Sequence, residues 1–196
     1  RNVFQSVWKT YEALLANDFN VKLNVVVLPN QNTNELIDFI NLGKKDKVSV
    51  RFIEEMPFNG TGERAVEEVW DKYKILGKIK QEFNEIETIE SPKTSTSENY
   101  QVKDYKGTFG IIPAFTRTIC GGCNRIRITA KGDLKLCLFD DGVFNLRDQI
   151  RKGITDEKLQ FLFLNLIDKK PENGFVAEAN RLKNPKVSES MSTIGG

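Results

Sequence analysis

Val3, Phe4, Val7, Trp8, Tyr11, Leu14 and Leu15 recur every three or four residues, so the chain opens on a predicted amphipathic helix. The period then changes. Val21-Lys-Leu-Asn-Val-Val-Val-Leu28 is rich in β-branched residues and reads as a buried strand, broken by Pro29 and Asn30. Thr33 or Asn34 is suited to cap a second helix bearing Leu36, Ile37, Phe39, Ile40 and Leu42. Val48-Ser-Val-Arg-Phe-Ile53 predicts another strand, followed by a loop with Met56, Pro57 and Gly60. Val66, Val69, Trp70 and Tyr73 then predict a third helix running from about Glu63 to Leu76. Such alternation is expected of parallel strands joined by helical crossovers.

Both strands break the apolar rule on one face. Lys22 and Asn24 share a side, as do Ser49 and Arg51. In a barrel, alternate residues face the lumen and ligands gather at the carboxyl ends of the strands. Lys22 and Arg51 are therefore candidate lumen cations, the plainer alternative being a solvated edge. From about Ile79 the texture changes, and Ser91-Pro-Lys-Thr-Ser-Thr-Ser-Glu-Asn99 reads as a loop or domain junction. Short strands are expected over Phe109–Ile112, Arg125–Thr129 and Leu134–Phe139, the last two joined through a hairpin turn at Ala130-Lys-Gly-Asp133. Leu146–Arg151 predicts a short helix. Thr155 or Asp156 caps a stronger one with Leu159, Leu162, Phe163, Leu166 and Ile167. The closing stretch from Asn184 is polar and ends in Ile194-Gly195-Gly196.

Composition narrows the chemistry. At 196 residues the chain has room for one large domain or two small ones. A net charge of +2 argues against a surface built to coat polyanions, so no nucleic-acid partner is expected. No apolar run approaches the roughly 18 residues of a membrane span, so no membrane association is expected either. There is no histidine, which removes the commonest general base and the Cys2His2 and Cys3His zinc sites. Three cysteines fit a disulfide scaffold poorly and metal ligation in a reducing compartment well.

Those cysteines, Cys120, Cys123 and Cys137, all fall within one short segment, with Arg125 and Arg127 directly after the second. The two arginines share strand parity, opposite Ile126 and Ile128. Guanidinium groups beside soft thiolates suit an anionic, phosphorylated ligand next to a metal centre. Three readings of the thiols compete. They are unligated small hydrophobes, or ligands of a structural zinc whose fourth ligand comes from a carboxylate or a partner, or ligands of a 4Fe–4S cluster with one iron left open.

The stretch Cys120-Gly-Gly-Cys-Asn-Arg-Ile-Arg-Ile-Thr-Ala-Lys-Gly-Asp-Leu-Lys-Leu-Cys-Leu-Phe139 closely resembles the C-terminal cluster motif of the molybdenum cofactor biosynthesis protein A family, the radical S-adenosylmethionine GTP 3′,8-cyclases. Val21-Lys-Leu-Asn24, Val50-Arg-Phe-Ile-Glu-Glu-Met-Pro57, Asn145-Leu-Arg-Asp-Gln-Ile-Arg-Lys-Gly153 and the terminal Ile194-Gly-Gly196 extend the likeness over essentially the whole chain. The fold this resemblance implies is α/β: the C-terminal half of an incomplete TIM-type barrel, then a smaller α+β domain carrying the three-cysteine motif. Residues 1–90 would be the barrel remnant, and residues 91–196 the substrate-binding domain with an auxiliary cluster and a Gly-Gly tail.

The resemblance also implies roles. Cys120, Cys123 and Cys137 would hold a 4Fe–4S cluster whose open iron receives the purine of GTP. Arg125, Ile126, Arg127 and Lys22 would contact GTP, and Met56 would contact S-adenosylmethionine. Arg51, Gly195 and Gly196 would serve catalysis. In the complete enzyme a first cluster would cleave S-adenosylmethionine, and the resulting radical would take a hydrogen from C3′ of GTP before attack on C8 of guanine. The C-x3-C-x2-C motif and early strands that support this step do not occur in the sequence. The expectation is therefore a C-terminal part of a longer protein, inactive without its N-terminal half. A homodimer, a functional partner in cyclic pyranopterin monophosphate synthase and a cytoplasmic location complete the expectations. The alternatives are a zinc-ribbon-like nucleic-acid module and the auxiliary-cluster domain of a peptide-modifying radical enzyme.

Overall fold

The computed structural model describes residues 3–56, 69–142 and 144–183. It divides into two compact units, one of Arg1–Glu55 with Val66–Thr116, the other of Met56–Ala65 with Arg117–Gly196. Pro57, Gly60 and positions 63–68 of the expected third helix lie outside the described residues, as do Gly195 and Gly196.

In the first unit, α1 (Phe4–Ala16) leads into β1 (Val21–Val27), α2 (Leu36–Asn41), β2 (Val48–Glu54) and α3 (Lys72–Glu82). These are followed by β3 (Ile86–Ile89), β4 (Glu98–Val102) and β5 (Thr108–Ile112). The strands form one mixed sheet in the order β1-β2-β5-β4-β3. β1, β2 and β5 are parallel, while β4 and β3 run antiparallel to their neighbours. The α/β class and the parallel pairing of the first two strands follow the reading from periodicity. Among the described residues the sheet is open, with no closed barrel.

Strand parity builds the core on one face. Val48, Val50 and Phe52 of β2 and Phe109 and Ile111 of β5 are buried with Leu36 and Ile40 of α2 and Ile75 and Ile79 of α3. Each fully buried side chain of this kind contributes about 1.5–3 kcal/mol. The other face is polar over its first two rows and apolar at Val26, Ile53 and Ile112. Lys22, Ser49 and Thr108 lie in one cross-strand row, and Asn24, Arg51 and Gly110 in the next.

Several local expectations are corrected. β1 is an edge strand that alternates buried and exposed positions, so it is half-buried only. α2 starts after Glu35 with no side-chain cap. Asn32, one turn earlier, instead accepts from Leu28 N at 2.8 Å and donates to Val26 O at 2.9 Å, closing the strand–helix loop. α3 begins at Lys72, later than expected, because Asp71 caps it by accepting from Lys74 N at 2.9 Å. Val69 and Trp70 precede it and are not helical. The helix also continues past Ile79, and the polar stretch beyond it is the link of a β3–β4 hairpin.

The second unit opens with a single 3-10 turn, Cys120–Gly122, then β6 (Arg127–Ile128), β7 (Asp133–Lys135) and β8 (Phe144–Asn145) in an antiparallel three-stranded sheet. The β6–β7 turn falls at Ala130-Lys-Gly-Asp133 as expected, with Gly132 supplying a φ of +88° that a side chain would resist. Both strands are shorter than expected, and β7 ends early because Asp140 turns the chain directly after Cys137. Its carboxylate accepts from Leu136 N at 2.9 Å, Cys137 N at 2.7 Å and Gly142 N at 2.9 Å. Three helices follow: α4 (Leu146–Arg151), α5 (Asp156–Ile167) and α6 (Gly174–Leu182).

α5 packs Leu159, Phe163 and Leu166 on the buried Leu134, Leu136 and Leu146. Its cap is Thr155, as expected, and the cap of α4 is Asn145. The Asn145 side chain accepts from Asp148 N at 2.9 Å and donates to Asp133 Oδ1 at 2.7 Å, so it both starts the helix and ties it to β7. Asn145→Ala is expected to cost about 1–2 kcal/mol, measured by urea unfolding.

Candidate functional site

The second unit holds the cysteine segment. The 3-10 turn places Cys120 and Cys123 at successive ends of one loop, with Cys123 N donating to Cys120 O at 3.0 Å. All three thiols are free and only partly exposed. Electrostatics shows how the surrounding groups share one region. Burial alone would raise the Cys123 thiol, but the Arg125 backbone N–H and guanidinium, with Lys170, outweigh it and hold its pKa below the usual value. Burial pushes the Cys137 thiol up, and the charges of Asp140 and Cys120 add to the rise. Burial, with repulsion from Arg125, pulls Arg127 below the ordinary guanidinium range, while Cys123, Cys137 and Asp140 act in the opposite sense.

Arg125 and Arg127 are half-buried, and Ile126 and Ile128 are exposed. The two pairs lie on opposite faces, as their parity requires, and it is the charged pair that turns inward. Arg125 Nε is buried without a hydrogen-bond partner. A buried guanidinium N–H left unpaired is costly, a condition shared by Arg51 Nε and by Nε and Nη1 of Arg117. Among the described residues no group of three or more His, Cys, Asp or Glu side chains is arranged to hold a metal ion. The donor chemistry nevertheless suits an iron–sulfur cluster. Three thiols lie in one short segment, Arg125 and Lys170 favour the thiolate of Cys123, and no imidazole competes.

Met56 packs against the cluster of Phe139 and Ala177, together with Cys137 and Leu138. In the first unit, Lys22 is exposed on β1, and Arg51 is half-buried on β2 with its Nε buried and unpartnered. These two cations stand on the polar face of the sheet, in adjacent cross-strand rows.

Residue-type reasoning did not single out four side chains. Glu54 is completely buried at the end of β2 and holds its carboxylate in a nest of donors. Arg117 is buried with its guanidinium carbon 3.7 Å from the Phe139 ring centre and 4.4 Å from that of Phe175, and it pairs with Glu178 at 2.8 Å. Asp140 and Lys170 flank the cysteines. The sequence signal for Glu54 was its parity, which sets an acid on the apolar face with Val48, Val50 and Phe52. The other three carry no such mark.

The Molybdenum Cofactor Synthesis C family model matches residues 48–176. The chain belongs to that family. The match takes in β2 to β5 and the entire cysteine segment, and leaves out α1, β1 and α2. Among relatives, the molybdenum cofactor biosynthesis protein moc-5 of Caenorhabditis elegans is 37% identical over 197 residues, covering 100% of this chain and 32% of that protein. A GTP 3′,8-cyclase of Listeria monocytogenes is 37% identical over 187 residues, covering 91% of the chain and 54% of its own length. The mitochondrial GTP 3′,8-cyclase of Arabidopsis thaliana is 32% identical over 198 residues, covering 97% and 48%. The chain therefore spans about half or less of the length of each of these relatives. Among the described residues no helix is long and apolar enough to cross a membrane.

Proposed function

We propose that this chain is the GTP-holding portion of a GTP 3′,8-cyclase, the enzyme that converts GTP to (8S)-3′,8-cyclo-7,8-dihydroguanosine 5′-triphosphate at the start of molybdenum cofactor biosynthesis. The observation that carries the reading is the inward pair Arg125 and Arg127 beside Cys123 and Cys137, with one buried guanidinium N–H left without an acceptor. Cys120, Cys123 and Cys137 hold a 4Fe–4S cluster in this reading. When bound, such a cluster supplies an iron with an open coordination position. Arg125, Ile126 and Arg127 form the GTP-binding stretch, in which the two arginines bind and orient the anionic nucleotide, so that much of what this chain contributes is positioning. Lys22 adds a cation for GTP and Arg51 one for turnover. Met56 contacts S-adenosylmethionine.

Catalytic roles for Gly195 and Gly196 belong to the same reading, as do the division into residues 1–90 and 91–196 and the half-barrel origin of the first sheet. So do S-adenosylmethionine and a further 4Fe–4S cluster carried by an N-terminal half, a homodimer, a cytoplasmic location and cyclic pyranopterin monophosphate synthase as the next enzyme.

The test is anaerobic reconstitution of the full-length protein with iron and sulfide, followed by calorimetric titration with GTP. A brown protein that binds GTP is expected. Arg125→Ala and Arg127→Ala are each expected to weaken that binding by about tenfold or more, the effect of losing a charge-assisted hydrogen bond, while S-adenosylmethionine cleavage persists. Unchanged GTP affinity in both variants, or a colourless zinc protein, defeats the reading.

A further inference from the structure

Lys170 follows the C-terminal turn of α5, where its backbone N–H donates to Ile167 O at 2.9 Å. α5 is itself seated on the buried leucines of the second unit, so the lysine springs from a fixed support. Its ammonium has three donors. One reaches Arg125 O at 2.6 Å, another Leu136 O at 2.7 Å, and Cys123 Sγ lies 3.9 Å away. The first carbonyl belongs to the arm that leaves Cys123, and the second to the residue directly before Cys137. Its positive charge also reaches the Cys137 thiol. A cation is thus stapled across the base of the cysteine hairpin from outside the hairpin itself.

Building on the cysteine ligation proposed above, we propose that Lys170 is a positioning residue of the thiolate site. Its ammonium ties the Cys123 arm to the Cys137 arm and sets a fixed positive charge beside the sulfurs. Three thiolates around a dicationic metal or cluster core leave a net negative site, which an adjacent cation stabilises. Groups that orient metal ligands in this way typically govern affinity by about 10–100-fold.

The probe is Co2+ added to the metal-free full-length protein with the cysteines of its N-terminal C-x3-C-x2-C motif replaced by alanine in every variant. The thiolate-to-cobalt absorption band used as readout then comes from Cys120, Cys123 and Cys137, and the wild type of the comparison is wild type at residue 170. Wild type is expected to develop the band, and Lys170→Met, which keeps the length but drops the charge, to bind about tenfold more weakly. Lys170→Arg is expected to recover part of the loss, and Lys169→Met, which removes an exposed neighbouring charge, to match wild type. Should the methionine variant not fold, Lys170→Gln takes its place. Wild-type affinity in Lys170→Met, or no gain from Lys170→Met to Lys170→Arg, overturns the proposal while leaving the cysteine reading intact. No thiolate band in wild type overturns the cysteine reading, and this inference with it.

Discussion

Glu54→Ala is expected to cost the first unit about 3–5 kcal/mol, the range for breaking a buried charged network by removing one partner. Oε1 accepts from Lys72 N at 2.6 Å and Thr116 Oγ1 at 2.9 Å, and Oε2 from Phe115 N at 2.6 Å and Thr116 N at 2.7 Å. One carboxylate thus fixes the first backbone N–H of α3 and the chain leaving β5 against the end of β2. Alanine would strand three part-buried backbone donors around a fully buried side-chain position, each costing about 1–3 kcal/mol. The carboxylate also lies at the amino end of α3, where a negative charge meets the positive end of the helix dipole. Glu54→Gln keeps the shape but turns an amide NH2 towards backbone donors, so its expected loss is smaller, about 2–3 kcal/mol. Thermal melts should show Glu54→Ala lowered by about 10 °C. A Glu54→Ala protein within about 1 kcal/mol of wild type would show that water enters and replaces the carboxylate.

The same residue shows what the sequence makes legible. Apolar periodicity located α1, β1, β2, the β6–β7 turn, α4 and α5 because each depends on neighbours a few positions away. The β3–β4 hairpin leaves no such trace, since its strands are short and Ile86-Glu-Thr-Ile89 is too brief to display a period. α6 is hidden because it is short and opens on glycine, although Asn173 caps it through Phe175 N and Val176 N. Residues 69–71 carry the helical period without being helical, because Asp71 and the distant Glu54 together decide where α3 starts. The cysteines and arginines of the candidate site could be named from spacing and resemblance. Asp140, Lys170 and Arg117 could not, because what they do depends on carbonyls, amides and rings brought to them by the fold.

Arg117→Ala is the second large loss expected, about 2–4 kcal/mol in the second unit, the range spanned by losing a desolvated cation–π contact together with a charged hydrogen bond. The guanidinium is sandwiched by Phe139 and Phe175 and donates to Glu178 Oε2, with its side chain only 3% exposed. The cation–π part alone contributes about 2 kcal/mol. Glu178 retains 26% exposure, so water can reach it once the arginine is gone, which keeps the loss below that of a fully buried pair. Arg117→Lys preserves the charge but has no plane to lie between two rings, so it is expected to recover less than half of the loss. The consequence reaches the thiols by a short covalent path. Cys120 N donates to Arg117 O at 3.1 Å, and Phe139 stands two residues beyond Cys137. Both arms of the cysteine segment are therefore anchored at this stack, and Arg117→Ala should weaken Co2+ binding as well as stability. If stability falls while Co2+ affinity stays at the wild-type level, the anchoring is confined to packing and the thiols are held by Asp140 and Lys170 alone.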